Sequence, residues 1–422
     1  MFDDAKFQID FVNELSFNRY GGTEDELRAA KLIQSKIEAL GGKSELFEFE
    51  VPAYSVTEAK FEILTPYRKE ITVNGVGRTG STPEGGLTAP FCYVEGGDEV
   101  DCLKADVKGK IVLINGTGYV AYKRLLDMGA AGFVVFSGAF NDDESRTDLD
   151  RRQLRDFLTE EGTIPGVCMR CADAIHLMEN PPETVKMTLK GESFPNISRD
   201  VVAEIVGSER PDEWLVMTAH YDSTIFGCGA WDNATGAANI LEMYRYYLEN
   251  RPGRSIRFIW CGSEEQGLLG STAWAEAHPD EVAKTIFCMN FDMTGPTVGR
   301  NLTLVTGGDD LKYYLHGVAR TLGYTTRWQD ASVHSSDSVP FCYRGVPAVG
   351  IARDGQATGH NRNDVPWPLS GEKLKEATDF AKAVAAPVLS GYQPPFERKM
   401  PPDMMEKLEN YLRRGKPKEE KK

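Results

Sequence analysis

Hydrophobic and polar positions follow two different periods along the chain, and each change of period marks a new element. Between residues 21 and 42, the apolar positions from Leu27 to Ile37 recur three or four residues apart, as on one face of a helix. Thr23 precedes this stretch as an N-cap, and two glycines end it. The following segment, KSELFEFEV, alternates between polar and apolar positions and predicts a strand.

Beyond residue 193, strand-like and helix-like patterns alternate. Compact hydrophobic runs are separated by amphipathic stretches, among them TAWAEAHPDEVAK, which is predicted as a single helix. The predicted strands are VVAEIVG, EWLVMTAHY, SIRFIWCG, TIFCMNFDM, LTLVTGG and PAVGIAR. This alternation predicts an α/β fold, a three-layer sandwich with a mainly parallel central sheet. Sites in such sheets form at the carboxyl ends of the strands.

Residues 51–192 have a different texture, with short β-type runs between glycine- and proline-rich turns. One helical stretch, GYVAYKRLLDMGAAG, links KIVLI to GFVVF as a β-α-β unit. We therefore predict a smaller β-rich α/β domain, inserted into a discontinuous main domain of residues 1–50 and 193–395. Residues 141–162 predict an exposed, partly helical excursion, and residues 396–422 a C-terminal helix with a charged tail.

Composition narrows the class of protein. Of the 422 residues, 41% are hydrophobic and 26% are charged, which is typical of a soluble globular chain. The formal net charge of −15 argues against nucleic acid and anionic membranes as partners. No basic segment followed by an apolar run opens the chain, and its apolar runs are too short to span a bilayer. Eight irregularly spaced cysteines favour reduced thiols, so we expect a cytoplasmic protein.

Candidate chemistry lies where the predicted strands end. Acidic and imidazole side chains occur there in sequence order as His220, Asp222, Asp232, Glu264, Glu265, Asp292 and His360. Buried carboxylates cannot stay ionised together in one pocket without cations. Oxygen and nitrogen donors of this kind are ligands that zinc accepts, and one carboxylate can bridge two metal ions about 3.5 to 4 Å apart. Asp232, between the two halves of the set, is the natural candidate for that bridge.

Spacing suggests different roles for neighbouring residues. His220 and Asp222 are two positions apart and share a strand face, so Asp222 can orient His220 or lie beside the metal. Glu264 and Glu265 are adjacent and point apart. One of them can bind metal while the other faces the substrate as a proton carrier.

The segments that contain these residues resemble the double-zinc aminopeptidases of the clan MH metallopeptidases, which include bacterial leucyl aminopeptidases and the glutamate carboxypeptidase group. The matching segments are HYDS, WDNATGAANILE, SEEQGLLGS, NFDMTG, SSDSVPFCYRGVPAVGI and GHNRNDVP. Together they cover most of residues 200 to 390. The resemblance implies that the main domain is a zinc-peptidase catalytic domain.

The resemblance also implies specific roles around two Zn²⁺ ions, for which cobalt or manganese could substitute. It implies one zinc held by His220, Asp232 and Asp292, and the other held by Asp232, Glu265 and His360. It further implies Glu264 as the general base and Asp222 as the partner of His220. A water or hydroxide between the metals would lose a proton to Glu264 and attack the peptide carbonyl.

Two further features concern the substrate and the inserted domain. The segments DVKGKIVLINGTG and LLDMGAAGFVVFSG resemble the protease-associated domain often inserted in this family. Many relatives have a histidine after the Ser-Asp pair, where this chain has Ser338. His334, four residues earlier, is a candidate for polarising the substrate carbonyl. Met293, directly after Asp292, is a candidate for lining the pocket of the first side chain.

The expected function is that of a metallo-aminopeptidase, an exopeptidase acting on peptides, with homo-oligomerisation left open. One alternative within the family is a carboxypeptidase or acylamino-acid hydrolase, whose basic pocket could draw on Arg78, Arg152, Arg344 or Arg353. A second alternative is a single-zinc glutaminyl cyclase. A third is a receptor-like relative that binds without catalysis.

Overall fold

The computed structural model describes residues 3–138, 153–413 and 416. The chain folds into two compact units. Met1–Val51 and Asn196–Tyr411 form the first, and Pro52–Pro195 and Leu412–Lys422 form the second. Most of the predicted charged excursion, including Arg152, lies outside the described residues. The assignment of the two units as catalytic and protease-associated domains stays a prediction.

A mainly parallel sheet is the centre of the first unit. Numbered in chain order, its strands are β8 (Thr184–Ile205, which begins in the second unit), β9 (Arg210–His220), β10 (Arg254–Cys261), β11 (Thr285–Phe291), β12 (Gly299–Thr306), β13 (Arg327–Asp330) and β14 (Ala348–Gly355). Their spatial order is β13-β12-β14-β11-β9-β10-β8. Strands β14, β11, β9 and β10 are parallel neighbours, whereas the β12–β14 and β8–β10 pairs are antiparallel.

Helices cover both faces of this sheet. Successive side chains of a strand point to opposite faces. In β10, the ring of Phe258 packs on Tyr244 at 5.2 Å between centroids, whereas the guanidinium of Arg257 lies 4.9 Å from the ring of Trp274. Tyr244 and Trp274 belong to different helices, which therefore pack on opposite faces. The predicted three-layer α/β sandwich with a mainly parallel sheet is confirmed.

The helices of the first unit fall largely where their periodicity predicts them. They are α1 (Asp4–Leu15), α2 (Glu24–Ala39), α7 (Thr235–Glu249), α8 (Leu269–Ala277), α9 (Pro279–Lys284), α10 (Asp309–Leu322), α11 (Val339–Tyr343), α12 (Gly371–Ser390) and α13 (Pro402–Arg413). The prediction of one helix over TAWAEAHPDEVAK is wrong, because Pro279 cannot continue α8 and instead begins α9. Among the described residues, no helix is long and apolar enough to cross a membrane.

The second unit contains its own run of parallel strands. The first strand of the chain, β1 (Ser44–Thr65), enters this unit from the first and pairs with β2. The other elements are β2 (Lys69–Ile71), β3 (Val73–Gly75), β4 (Leu87–Val94), α3 (Glu99–Ala105), β5 (Ile111–Ile114), α4 (Tyr119–Asp127), β6 (Gly132–Ser137), α5 (Asp156–Thr159), β7 (Gly166–Arg170) and α6 (Cys171–Glu179). Strands β4, β5, β6 and β7 are parallel in that order. The predicted β-α-β unit is β5-α4-β6, in which Tyr122 packs on Phe133.

Candidate metal centre

The parallel strands bring the candidate ligands to one edge of the sheet. Strand β9 ends at His220, and Asp292 follows β11 directly. Glu264 and Glu265 lie three and four residues after the end of β10, and His360 lies five residues after the end of β14. Because these four strands are parallel neighbours, their carboxyl ends lie side by side.

Asp232 lies between two histidines. It belongs to the segment Ala230–Ala234, which leads into α7, and its own backbone is not helical (φ −114°, ψ 87°). Its Oδ1 is 3.1 Å from His220 Nε2, and its Oδ2 is 3.0 Å from His360 Nε2. A carboxylate placed in this way can give one oxygen to each of two ions. The geometry therefore fits the bridge expected from the sequence.

Two further carboxylates complete two groups of potential ligands. Asp292 Oδ1 is 3.5 Å from His220 Nε2, and Glu265 Oε2 is 3.2 Å from His360 Nε2. In each group, ligand atoms from the three residues lie within 4.8 Å of one another. Glu265 Oε1 is buried and accepts no hydrogen bond from the described residues. Nitrogen and oxygen donors at these distances, with a buried oxygen still free, fit two divalent cations that share Asp232.

Asp222 connects His220 to the glutamate pair. Its Oδ1 is 3.4 Å from His220 Nδ1, on the opposite side of the ring from Asp232. The same carboxylate accepts hydrogen bonds from the backbone N–H of Glu264 at 3.0 Å and of Glu265 at 3.2 Å. Of the two roles that the sequence left open for Asp222, these contacts favour orientation of His220 over direct metal binding.

Glu264 lies next to the two groups without belonging to either. Its Oε2 is 4.0 Å from His220 Nε2. Burial raises its pKa well above the usual value, against the opposing effect of His220. Burial, followed by the charge of Asp232, raises the pKa of Glu265 to about 7. Adjacent glutamates thus differ in surroundings, and one of them is left available for proton transfer.

Protons balance the negative charge in the metal-free site. Hydrogen bonds with Asp232 and Glu265 raise the pKa of His360 to about 11. Burial disfavours the charged form of His220, but the carboxylates around it, Glu264 foremost, raise its pKa well above the usual value. Cations that bind here must displace these protons, because imidazole ligates metal in its neutral form.

A layer of residues that sequence reasoning did not single out holds the ligands in place. The carboxylate of Asp364 accepts hydrogen bonds from Trp231 N at 2.6 Å and from Asp232 N at 3.2 Å. Ser336 Oγ donates to Asp292 Oδ2 at 2.7 Å. Asp364 and Ser336 lie within the segments GHNRND and SSDS, so their proximity to recognised motifs was the available signal.

The two substrate-binding candidates lie near the site but have no demonstrated role. Met293 has a left-handed backbone (φ 59°), and its N–H donates to Asn233 Oδ1 at 3.1 Å. His334 is half-buried, with Nε2 2.8 Å from Ser332 Oγ. Burial lowers the pKa of His334, and the charge of Asp292 opposes that shift. Their contact with substrate stays a prediction.

Three of the four arginines considered for a carboxylate pocket lie in the described residues and have structural partners. The guanidinium of Arg353 is buried and donates to the carbonyls of Pro296 and Gly299 and to Asn301 Oδ1. Arg344 donates to the carbonyl of Pro340 within its own segment. Arg78, in the second unit, pairs with Asp156 at 2.5 Å. The fourth, Arg152, lies outside the described residues.

Known proteins share both the sequence pattern and the fold. Residues 200–385 match the sequence profile of Peptidase family M28. Aminopeptidase YwaD of Bacillus subtilis is 27% identical over 398 residues, which cover 90% of this chain and 84% of that protein. Carboxypeptidase Q of Homo sapiens is 26% identical over 357 residues, which cover 80% of this chain and 74% of that protein.

A solved structure of a zinc aminopeptidase from Bacillus subtilis, BSAP, superimposes with a TM-score of 0.77 at 24% identity, covering 95% of this chain and 98% of that one. The fold is therefore that of the zinc aminopeptidases. Residues 200–385 thus have the sequence pattern of Peptidase family M28, and the similarity to an aminopeptidase extends over 90% of the chain.

Proposed function

We propose that this protein is a zinc-dependent aminopeptidase that removes N-terminal residues from peptides. The observation that carries the proposal is the position of Asp232, whose two oxygens each lie within about 3.1 Å of a different histidine. Its relatives support the same activity, since they include an aminopeptidase and a protein described as a zinc aminopeptidase.

In this proposal two zinc ions are held by the two groups of ligands. His220, Asp232 and Asp292 would hold one ion, and Asp232, Glu265 and His360 would hold the other. Ions bound there would lower the pKa of the attacking water and polarise the scissile carbonyl. Cobalt or manganese could substitute for zinc, because both accept the same oxygen and nitrogen donors.

Two side chains then have separate tasks: Glu264 transfers the proton, and Asp222 orients a metal ligand. Glu264 accepts a proton from the attacking water on a carboxylate oxygen and returns it to the leaving amine nitrogen. A carboxyl whose pKa lies above its usual range suits the first step, because its carboxylate is a stronger base than an ordinary glutamate. Asp222 holds the ring of His220 and the backbone of Glu264 at the same time.

Charge around the site favours an N-terminal over a C-terminal specificity. A free α-ammonium group is attracted to the acidic wall formed by Glu264 and Asp292, whereas a terminal carboxylate needs a cation. Arg353 and Arg344, two of the cations considered for that purpose, already donate to protein acceptors. Carboxypeptidase Q is nevertheless a relative, so carboxypeptidase activity is the second candidate function.

One experiment tests the proposal. Aminoacyl chromogenic substrates and matched N-blocked peptides are compared with and without a chelator, and zinc, cobalt and manganese are then added back. We expect hydrolysis of free-amine substrates only, loss with the chelator and recovery with added metal. Cleavage of N-blocked peptides from the carboxyl end would instead support the carboxypeptidase, and chelator-insensitive hydrolysis would contradict both.

The remaining expectations from sequence stay predictions. They are the cytoplasmic location, the absence of nucleic-acid and membrane partners, the possible homo-oligomer and the protease-associated character of residues 51–192. None of them bears on the chemistry at Asp232.

A further inference from the structure

The segment between α1 and α2 contacts both of the loops that carry the candidate metal centre. We call residues 18–22 the N-terminal brace. The first loop, residues 221–232, follows β9 and contains Asp222 and Asp232. The second, residues 263–266, follows β10 and contains the glutamate pair. The brace is more than 190 residues away from both loops in the sequence, so its contacts are purely tertiary.

Arg19 ties together the two ends of the first loop. Its side chain is fully buried and donates to the carbonyls of Tyr221 and Cys228 and, at 2.7 Å, to that of Gly229. Its backbone N–H also donates to Ser223 Oγ at 3.1 Å. Tyr221 precedes the ligand partner Asp222, and Gly229 lies three residues before Asp232. Arg19 therefore fixes the loop just before each of these two carboxylates.

Asn18 holds the middle of the same loop. Its Nδ2 lies 3.1 Å from the carbonyl oxygen of Thr224 and 2.5 Å from that of Ile225. The loop contains the sequence FGCG, and Gly229 adopts a left-handed conformation (φ 56°), so its own backbone preferences leave it many alternatives. Donors from the brace replace the regular hydrogen bonds that the loop lacks.

Gly21 contacts the second loop. Gln266 Nε2 donates to the carbonyl of Gly21 at 2.9 Å. A Cβ atom on Gly21 would lie 2.1 Å from Ser263 Oγ and 2.5 Å from Gln266 Nε2. Ser263 is fully buried, and its Oγ hydrogen-bonds Ser198 Oγ at 2.8 Å, so moving it away would break that bond. The turn that carries Glu264 and Glu265 thus packs directly on the backbone of the brace.

We propose that the N-terminal brace sets the spacing between Asp232 and the Glu264–Glu265 pair before metal binds, and that Arg19 is the positioning residue of the dinuclear centre. The inference rests on the proposed metal centre and extends it to residues outside both ligand groups. An arginine suits this role because its planar fork offers five donors, whereas a lysine offers three on one nitrogen.

Arg254 provides a matched control at the other end of strand β10. It is as buried as Arg19, and its guanidinium also donates to backbone carbonyls, those of Val388 and Gly391 at 2.7 Å each. Lysine at either position leaves buried carbonyls without donors and destabilises the fold. Only the Arg19→Lys change disturbs the loop that carries Asp232.

The test measures binding of Zn²⁺ by competition with a chromophoric chelator, together with the thermal midpoint of the metal-free protein. We expect both R19K and R254K to lower the midpoint. R19K should also lower the affinity for both zinc ions by about 10- to 100-fold, because Asp232 is a ligand of both. This is the usual loss when a residue that orients a metal ligand is replaced. R254K should leave zinc affinity unchanged.

A second variant separates the contacts that the brace makes with the first loop from those that it makes with the second. Gly21→Ala pushes on the turn that carries Glu264 and Glu265, so it should weaken only the ion held by Glu265. The absorption spectrum of bound Co²⁺ should then change for one ion out of two. If R19K proves too unstable to purify, Asn18→Ala tests the contact with the first loop by removing one side-chain amide. Weaker binding of both ions is again expected.

The outcomes are distinguishable. Wild-type zinc affinity in R19K or N18A, or an equal loss of affinity in R254K, would contradict the proposed role of the brace. Arg19 would then be a structural residue only. A wild-type protein that binds no divalent metal contradicts the proposed function itself, whatever the variants do.

Discussion

Parallel strands occur in both units of the chain, but their carboxyl ends differ in chemistry. In the second unit, strand β7 ends at Arg170, which pairs with Asp173 at 2.5 Å on the helix that follows. In the first unit, the strand ends present carboxylates and imidazoles whose pKa values are shifted by burial and by one another. Within the part of the chain that the structure describes, both candidate ligand groups belong to the first unit.

Parallel strands bring their carboxyl ends to one edge of a sheet, where a site can form. The difference between the two units suggests that this edge becomes a metal site only where the side chains there have an unbalanced charge. Arg170 and Asp173 neutralise each other, so this pair needs no bound cation to balance its charge. Asp232 and Glu265, with the neighbouring Asp292 and Glu264, form an excess of acid that protons or cations must balance. The following predictions test that contrast, from the largest expected effect to the smallest.

Asp232→Ala should have the largest effect, because Asp232 is the one residue shared by both ligand groups. We expect metal content to fall from about two ions per chain to background, and peptidase activity to disappear with it. Elemental analysis after dialysis measures the first quantity and hydrolysis of an aminoacyl substrate the second. Glu265→Gln is the comparison, since it should cost one ion only. Two retained ions in Asp232→Ala would show that Asp232 is no bridge.

Glu264→Gln should separate chemistry from metal binding. The amide keeps the size of the side chain but cannot accept the proton, so kcat should fall by at least about 10²- to 10⁴-fold. Metal content should stay at the wild-type level, because Glu264 lies outside both ligand groups. Glu276→Gln, on the exposed surface of α8, serves as the control. Nearly normal turnover in the Glu264 variant would remove it from the mechanism.

The third prediction concerns pH. In the metal-free protein the pKa of His360 is raised to about 11 and that of Glu265 to about 7. Both groups bind metal in their deprotonated forms, so each proton that a cation displaces makes affinity rise with pH. For the ion held by Glu265 and His360, we expect zinc affinity to increase about tenfold per pH unit around pH 8, where His360 supplies the proton, and more steeply below pH 7, where Glu265 adds a second. The affinity for the other ion should also rise with pH, because His220 must lose its proton. Chelator competition at pH 6, 7 and 8 measures the slope, and a flat profile would contradict the protonated resting state.

Much of the first unit could be predicted from sequence, because the hydrophobic runs of β9, β10, β11 and β14 are continuous and the residues that end them are polar. Asp222 illustrates the limit. Its spacing from His220 predicted a shared face, but its hydrogen bonds to the backbone of Glu264 and Glu265 depend on the neighbouring strand. Local periodicity contains no information about that contact.

Contacts that support the site through loops could not be predicted from the sequence. Asp364 holds the backbone of Asp232 across a gap of 132 residues, and Arg19 reaches loop 221–232 from the N-terminal segment. Asp364 lies within the recognised segment GHNRND, but that segment does not predict its contact with Asp232, and nothing in the local sequence of Arg19 distinguishes it from other arginines. Their roles follow only from the fold, which brings irregular segments with unsatisfied backbone groups into contact.

The smallest effect on activity is expected from the strand end that is already neutral. Arg170→Met removes one partner of a buried ion pair whose side chains are 7% and 8% exposed. It should destabilise the second unit by about 3 to 5 kcal/mol, because Asp173 stays buried without its partner. Zinc affinity and kcat should not change, since the ligand groups lie in the first unit.

Thermal unfolding and zinc competition on the same sample measure the stability and the zinc affinity of this variant. The double variant Arg170→Met with Asp173→Leu should recover most of the stability, because it removes both charges of the buried pair. Loss of zinc affinity in the single variant would mean that the two strand ends are coupled, and the contrast between a self-neutralised edge and a metal-binding edge would fail.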